Sequence, residues 1–145
     1  MIIFIGIQGS GKSTFYHSYF SDMIHINLDT LRTRHREREA IKSCIEEDQS
    51  FIVDNTNPTK VDRQRYIPFA KEKGYKIIGY YFESKISDCI SRNAKREGKA
   101  RIPDKAIAFT YNRLELPDYK EGFDELYYVK ITDEGFMIEE WKDEV

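Results

Sequence analysis

The sequence predicts an α/β protein with a parallel sheet covered by helices on both faces. Short apolar runs alternate with longer segments of helical periodicity along the chain. The apolar runs are continuous rather than interrupted at every second residue, which is typical of strands buried on both faces. The 145 residues are 40% hydrophobic and 33% charged, enough to bury a real core, and we expect one domain over residues 1–145.

Each predicted element follows from its own run of residues. The unbroken apolar run 1–5 predicts the first strand, and a helical pattern covers 12–21. Further strands are predicted at 23–27, 51–53, 75–82 and 126–131, with 136–138 as a candidate edge strand. Further helices are predicted at 30–48, 60–73, 85–97 and 104–114. Gly74 is a common helix-stop residue, and Pro68 predicts a kink or break within 60–73.

The stretch between the first strand and the first helix carries the most specific motif. Residues 6–13 read Gly-Ile-Gln-Gly-Ser-Gly-Lys-Ser, the phosphate-binding P-loop pattern G-x-x-x-x-G-K-[ST]. Glycines let the backbone approach a phosphate closely, and the following helix adds free N–H groups and its positive dipole end. We expect Lys12 to reach the β- and γ-phosphates of ATP and Ser13 to ligate Mg²⁺. The predicted nucleotide-binding residues are Gly9, Ser10, Gly11, Lys12, Ser13 and Thr14.

Composition and charge exclude several other classes. The chain has no apolar run near the ~20 residues of a membrane span, so we expect no membrane association. Cys44 and Cys89 are isolated and the histidines lack metal-ligand spacing, so we expect a cytoplasmic protein whose only metal is nucleotide-bound Mg²⁺. The net charge is −2, yet residues 60–105 carry thirteen Lys and Arg against six Asp and Glu. That region either holds a polyanion or forms ordinary solvated helix faces. No obligate protein partner is evident.

Two aspartates directly follow predicted strands, and both are candidates for chemistry. The carboxyl ends of parallel strands meet at one edge of a sheet, so we expect Asp29, Asp54 and the P-loop to lie together. Asp54 suits orienting Mg²⁺ through water or through Ser13, or it caps an Asx-type turn. Asp29 suits removing a proton from a hydroxyl acceptor, or it caps the next helix. Arg32, one helical turn further, could bind an anionic part of the acceptor.

Three arginines flank a glycine-containing basic break at 98–103. Arg92 and Arg96 are four residues apart, so they are expected to share one helical face, and Arg101 follows in the break. Arginine near a transferring phosphoryl group stabilises the charge on its oxygens. A basic segment that closes over the nucleotide would also exclude water. The alternative for each arginine alone is a solvated helix face.

At these residues the chain resembles the P-loop polynucleotide 5′-kinases, namely the bacteriophage enzyme and the kinase domain of eukaryotic polynucleotide kinase-phosphatases. The resemblance covers about residues 2–126. Its more specific parts are Asp29-Thr30-Leu31-Arg32, the run Val53-Asp54-Asn55-Thr56-Asn57-Pro58, the helix at 63–67, and Arg92 to Arg96 ending near Ile102-Pro103.

The resemblance implies a fold, an activity and a set of roles. The implied fold is a P-loop NTPase/kinase fold with a five-stranded parallel sheet in the order 2-3-1-4-5 and a short basic lid. The implied activity is transfer of the ATP γ-phosphate to the 5′-hydroxyl of DNA or RNA. By position, Asp29 is the general base, Arg96 bridges the donor phosphates and Arg92 is a second lid arginine. The implied substrate-side residues are Arg32, which contacts the acceptor phosphate, and Asp54 and Thr56.

Two other readings remain open at this point. One is a kinase of the same architecture that acts on a small molecule such as a nucleoside, sugar or antibiotic, or on an aminoacyl-tRNA. The other is a regulatory module that binds ATP without transferring phosphate. Four arginines between positions 32 and 38 favour a polyanionic acceptor over a neutral one. Intact Asp29, Asp54 and Arg96 argue against a pure binder, because binding alone needs no base.

Overall fold

A mixed six-stranded sheet forms the centre of the computed structural model, which describes residues 1–142. The strands are β1 (Ile2–Ile5), β2 (Ile24–Ile26), β3 (Phe51–Asp54), β4 (Ile78–Phe82), β5 (Glu125–Thr132) and β6 (Gly135–Glu140). Their order is β2-β3-β1-β4-β5-β6, so the first five follow the predicted order and are parallel. The predicted count of five is wrong, because β6 pairs antiparallel with β5 and extends well beyond the candidate edge strand at 136–138.

Helices connect the parallel strands. They are α1 (Lys12–Tyr19), α2 (Leu28–Leu31), α3 (Arg34–Glu46), α4 (Lys60–Gln64), α5 (Ile67–Glu72), α6 (Ile86–Ala94) and α7 (Asp104–Arg113). Short 3₁₀ turns at Gly98–Ala100 and Tyr119–Glu121 complete the connections.

Two predicted helices are each divided in two. The segment predicted as one helix over 30–48 breaks at Arg32, whose φ of 74° no helix accommodates, and Thr33 caps the new helix α3. The segment 60–73 divides before Pro68, which lies in the first turn of α5, where a missing N–H costs nothing.

The core lies on both faces of the sheet, which explains why the central strand β1 is apolar throughout. On β1, Ile3 and Ile5 pack into one apolar cluster, while Ile2 and Phe4 pack into another. Successive side chains of a strand point to opposite faces, so a strand covered on both sides must be apolar at every position. Cys44 and Cys89 are buried and free.

The carboxyl ends of β1, β2 and β3 meet at one edge of the sheet. Phe4 on β1 lies beside Asp54 on β3, and Val53 lies between Ile3 and Ile26. The P-loop leaves this edge after β1, and α2 begins there after β2. Over residues 1–142, none of the helices combines the length and the apolar composition needed to cross a membrane.

Candidate active site

The P-loop presents backbone donors to one pocket. Gly9 and Gly11 have φ values of 81° and 97°, a conformation that side-chain-bearing residues rarely adopt. A Cβ on Gly9 would lie 2.5 Å from the carbonyl oxygen of Cys89, so α6 packs directly on the loop. Gly11 is the N-cap of α1 and supplies no side-chain cap. The first amides of α1 therefore remain available for an anion.

Lys12 folds back over this loop. Its Nζ donates hydrogen bonds to the carbonyl oxygens of Gly6, at 3.0 Å, and Ile7, at 2.9 Å. Burial lowers the pKa of Lys12 to about 8, and the Asp54 carboxylate partly opposes that decrease. The ammonium group is thus held at the carboxyl end of β1, beside the helix terminus that would receive phosphate.

Asp54 is a buried carboxylate with a histidine partner. It ends β3, is 1% exposed, and its Oδ2 lies 2.7 Å from Nε2 of His25 on β2. The His25 ring stacks on Tyr16, with ring centroids 4.0 Å apart. The alternative of an Asx-turn cap is wrong, because the carboxylate contacts this imidazole and accepts from no backbone amide within the described chain. His25 was not predicted from the sequence, although the register that pairs it with Ile52 puts it on the same face as Asp54.

Asp29 differs from Asp54 in both burial and partners. It is the second residue of α2 and is exposed, and its carboxylate has no hydrogen-bond or ion-pair partner within residues 1–142. The alternative that Asp29 caps this helix is wrong. Asn27 is the cap, and its Oδ1 accepts from the backbone N–H of Thr30 at 3.3 Å. The Nδ2 of Asn27 also donates to the Asp54 carbonyl oxygen at 2.6 Å, which ties the ends of β2 and β3 together.

One pocket of about 240 Å³ collects most of the predicted site residues. Its lining includes Gly9, Gly11, Lys12, Ser13, Asp29, Asp54, Thr56 and Arg96. Ser10, although part of the loop, is 3% exposed, with its hydroxyl 3.5 Å from the Lys12 Nζ. Thr14 lies in the first turn of α1 and lines two adjoining cavities. The strand-edge rule thus brings together segments more than 40 residues apart in the sequence.

Arg32 lines a cavity together with Asp29, but it does so from the end of a helix and not from within one. It ends α2 in a left-handed conformation instead of continuing a helix. With Asp29, Arg96 and Lys99 it lines an adjoining open cavity of about 960 Å³. This cavity is the basic side of the site.

Arg92 and Arg96 approach the P-loop from α6 and the segment after it. The Arg92 Nη1 donates to the Gly9 carbonyl oxygen at 2.9 Å, so this arginine fixes the loop to α6. The predicted shared helical face is wrong, since α6 ends at Ala94 and Arg96 lies beyond it. Both arginines nevertheless line a cavity of about 380 Å³, whose apolar wall is formed by Ile131 and Phe136.

Asn93 fixes the two ends of the basic segment at residues 95–101. Its side-chain amide is fully buried and pairs with both backbone groups of Ile102, donating to the carbonyl oxygen and accepting from the N–H at 2.9 Å. Residues 95–101 therefore form a loop closed at one point, and the exposed Arg101 lines none of the cavities described above.

A buried network behind the pocket was not predicted from the sequence. Glu37 is 1% exposed and accepts hydrogen bonds from Tyr66 Oη, Arg34 Nη1 and Asn55 Nδ2, all at 2.8–3.0 Å. Asn55 in turn accepts from the backbone N–H of Leu28, the first residue of α2, at 2.9 Å. Burial and the neighbouring Glu37 raise the pKa of Tyr66. The network thus anchors the helix that carries Asp29.

Thr56 takes part in the site mainly through its backbone. Its carbonyl oxygen accepts from the N–H of Gly6 at 3.0 Å, which joins the end of β3 to the start of the P-loop. The residue also lines the pocket beside Asp29.

Comparison with known proteins places this geometry in a family. The family model described as AAA domain matches residues 1–43 and 37–117. Proteins of Acanthamoeba polyphaga mimivirus and Schizosaccharomyces pombe, both named for a bifunctional polynucleotide phosphatase/kinase, are 28% and 27% identical over 98% and 85% of this chain. An L-seryl-tRNA(Sec) kinase of Methanococcus maripaludis is 26% identical over 86% of the chain. The chain spans 36%, 31% and 56% of the lengths of these three relatives.

The fold is shared with solved structures of low identity. Kti12 of Chaetomium thermophilum, solved in complex with ADP-AlF3, has a TM-score of 0.68 at 14% identity, covering 91% of this chain and 89% of its own. The resemblance to polynucleotide kinases that the sequence predicts is confirmed by the named relatives. With the family model matching most of its length, the chain belongs to the AAA domain family.

Proposed function

We propose that this kinase transfers the γ-phosphate of ATP to the 5′-hydroxyl end of DNA or RNA. The observation that carries the proposal is the Asp29 carboxylate, which has no hydrogen-bond or ion-pair partner among residues 1–142. It lines the same pocket as the P-loop lysine, next to a cavity that holds Arg32, Arg96 and Lys99. A free carboxylate between a phosphate-binding loop and a basic cavity suits an acceptor that carries both a hydroxyl and a phosphate.

On the donor side, the P-loop amides and Lys12 bind the phosphates of ATP. The apolar wall formed by Ile131 and Phe136 adjoins Gly9 and Gly11 and suits the nucleoside. Arg96 borders this cavity and the one that contains Asp29, so it can contact the transferring group. Arg92 positions the loop through the Gly9 carbonyl oxygen and adds positive charge.

The residues present also fit Mg²⁺. The Ser13 hydroxyl and the Asp54 carboxylate line one pocket, and Mg²⁺ in kinases is commonly held by one or two such oxygen groups together with substrate phosphates. When bound, the ion supplies charge neutralisation at the phosphate oxygens. His25 holds the Asp54 carboxylate in place through its 2.7 Å contact.

On the acceptor side, Asp29 accepts the proton of the attacking 5′-hydroxyl as the hydroxyl oxygen bonds to the γ-phosphorus. The bond between that phosphorus and the bridging oxygen breaks, and ADP leaves. Arg32 binds the next phosphate of the acceptor strand, and Thr56 lines the pocket that contains Asp29. The anchored α2 keeps the Asp29 backbone at a fixed distance from the P-loop.

A second candidate is transfer to an aminoacyl-tRNA, favoured by the similarity to the Methanococcus maripaludis kinase, or to a small molecule. The proposal is tested by incubating the protein with γ-labelled ATP and a 5′-hydroxyl oligonucleotide, with the same oligonucleotide carrying a 5′-phosphate as the control. We expect label on the first and none on the second. We also expect acceptor affinity to fall steeply with salt, since phosphate contacts release counterions.

Label on seryl-tRNA or on a metabolite panel, with none on either oligonucleotide, would contradict the proposal in favour of the second candidate. A weak salt dependence of acceptor affinity would contradict the role of Arg32 and the basic cavity.

A further inference from the structure

A small groove adjoins the pocket next to α7. It has a volume of about 180 Å³ and shares the wall residues Leu28, Asn55 and Thr56 with the pocket. Its far side is formed by α7, which contributes Phe109 and Arg113. A group extending from the Asp29 end of the pocket past Thr56 would enter this groove.

Phe109 is an unusual residue for such a position. It is 63% exposed, and the Arg113 guanidinium lies 5.4 Å from the centre of its ring. An aromatic ring beside an arginine is a platform on which nucleobases stack, and stacking tolerates any base because every base has a π-face. The groove volume suits one ring system and not a duplex.

The charges of the groove favour a base over a phosphate. Its two arginines are already paired with carboxylates: Arg34 with Glu37 at 2.8 Å and Arg113 with Asp62 at 3.7 Å. In the open cavity that Asp29 also lines, Arg32 and Lys99 have no ion-pair partner within residues 1–142. A nucleotide with its 5′-hydroxyl at Asp29 would therefore direct its phosphate toward Arg32 and its uncharged base toward Phe109.

We propose that Phe109 stacks on the 5′-terminal nucleobase of the acceptor strand. This inference rests on the proposed function and adds a base-binding subsite to it. It also implies that the kinase acts most readily on ends whose terminal base is unpaired, since a paired base would have to leave its stack before entering the groove.

The test couples a change in the protein to a change in the acceptor. Wild type and F109A are assayed with one oligonucleotide that has an ordinary 5′-terminal nucleotide and with another whose 5′-terminal nucleotide is abasic. We expect F109A to raise the KM for the ordinary oligonucleotide about tenfold, the size of one lost base–aromatic contact. We expect F109A to change the KM for the abasic oligonucleotide little. Wild type should already bind the abasic oligonucleotide about as weakly as F109A binds the ordinary one.

The chain offers a matched control. Phe69 on α5 is 44% exposed and has the Lys73 ammonium 6.0 Å from its ring centre, but it lines a cavity between α3 and α5 that shares no residue with the P-loop pocket. F69A should alter neither KM. Because Phe109 is exposed, F109A should also keep the thermal unfolding midpoint and ATP affinity of wild type.

The outcomes separate this inference from the proposed function. No label on either oligonucleotide with wild type would overturn both. Label with wild type, but an equal effect of F109A on both oligonucleotides or no effect on either, would overturn the stacking contact and leave the transfer activity in place.

Discussion

Asp29 and Asp54 occupy equivalent positions in the chain and opposite environments in the fold. Asp54 ends β3, Asp29 lies just after β2, and both line the same pocket. Asp54 is 1% exposed and contacts His25 at 2.7 Å, whereas Asp29 is exposed and has no hydrogen-bond or ion-pair partner in the described part of the chain.

The difference in burial and partners indicates that the two carboxylates have different roles. A buried carboxylate with a fixed partner keeps its charge at one point, which suits orienting a cation or a phosphate. An exposed carboxylate without a partner can accept a proton from an entering hydroxyl without first breaking an interaction. Variants that remove one of these charges at a time should therefore have distinct effects.

The largest expected effect is on transfer by D29N. Removing the proposed base should lower kcat by about 10³-fold, within the range for general-base catalysis, with unchanged ATP affinity and unfolding midpoint. Single-turnover transfer to an oligonucleotide measures the rate. D22N is the matched control, because Asp22 is also exposed but precedes β2 instead of following it. Full activity of D29N would contradict the role of Asp29 as the general base.

D54N should show a different pattern. We expect transfer to fall about 10²-fold and the Mg²⁺ concentration needed for half-maximal rate to rise, as one charged oxygen ligand is lost. It should also unfold more easily, by about 1–3 kcal/mol, because His25 loses a charged hydrogen-bond partner in a buried site. Thermal unfolding and a Mg²⁺ titration check both effects. An unchanged Mg²⁺ requirement would contradict the metal-orienting role and leave only a structural one.

The sequence was enough to predict where these two aspartates lie but not how they are held. The P-loop spacing and the strand-edge rule depend on local patterns and general topology, so they could be applied without coordinates. The contacts to His25 and Asn27 depend on the register between β2 and β3, which alternating burial alone does not specify. The break at Arg32, which divides the helix predicted over residues 30–48, is not marked by a glycine or a proline in the sequence.

Longer-range contacts were the least predictable part of the site. Glu37 was not predicted from the sequence as a site residue. It is buried against Tyr66 and Asn55, which lie 29 and 18 residues away in the sequence and next to it in the fold. The sixth strand was underestimated for a related reason. Its alternation of apolar and acidic residues is weak, and pairing with β5 decides its length.

Glu37 belongs to the buried network that anchors α2, the helix that carries Asp29. In E37Q an amide replaces a carboxylate that accepts from Arg34, Tyr66 and Asn55, and its N–H₂ group cannot accept from any of them. We expect about tenfold slower transfer, because the Asn55 contact that anchors α2 is weakened, together with lower stability. The rate should fall through kcat more than through the KM for ATP.

The matched control for that variant is E121Q. The Glu121 side chain is 6% exposed and pairs with the fully buried Arg63 at 2.7 Å, but neither residue lines the P-loop pocket. E121Q should lower the unfolding midpoint while transfer by the folded protein stays near that of wild type. Equal losses of transfer in both variants would mean that Glu37 acts on stability alone.

The smallest expected effect concerns Lys12 and the pH dependence of ATP binding. Burial lowers the pKa of Lys12 to about 8, and Asp54 opposes this more strongly than Asp29 does. A lysine with a lowered pKa loses its charge as the pH rises through that value, so ATP affinity should decrease above about pH 8. The dissociation constant is measured from pH 6.5 to 9.5 by titration calorimetry.

The two aspartate variants should move this profile by different amounts. Removing the Asp54 charge lowers the Lys12 pKa further, so in D54N the loss of affinity should begin at a lower pH than in wild type. In D29N the profile should remain close to that of wild type, because Asp29 contributes least among the charges that act on Lys12. If the pH at which ATP affinity decreases moved equally in both variants, Lys12 would be responding to the net charge of the pocket. The burial of Asp54 would then make no difference to its effect on ATP binding.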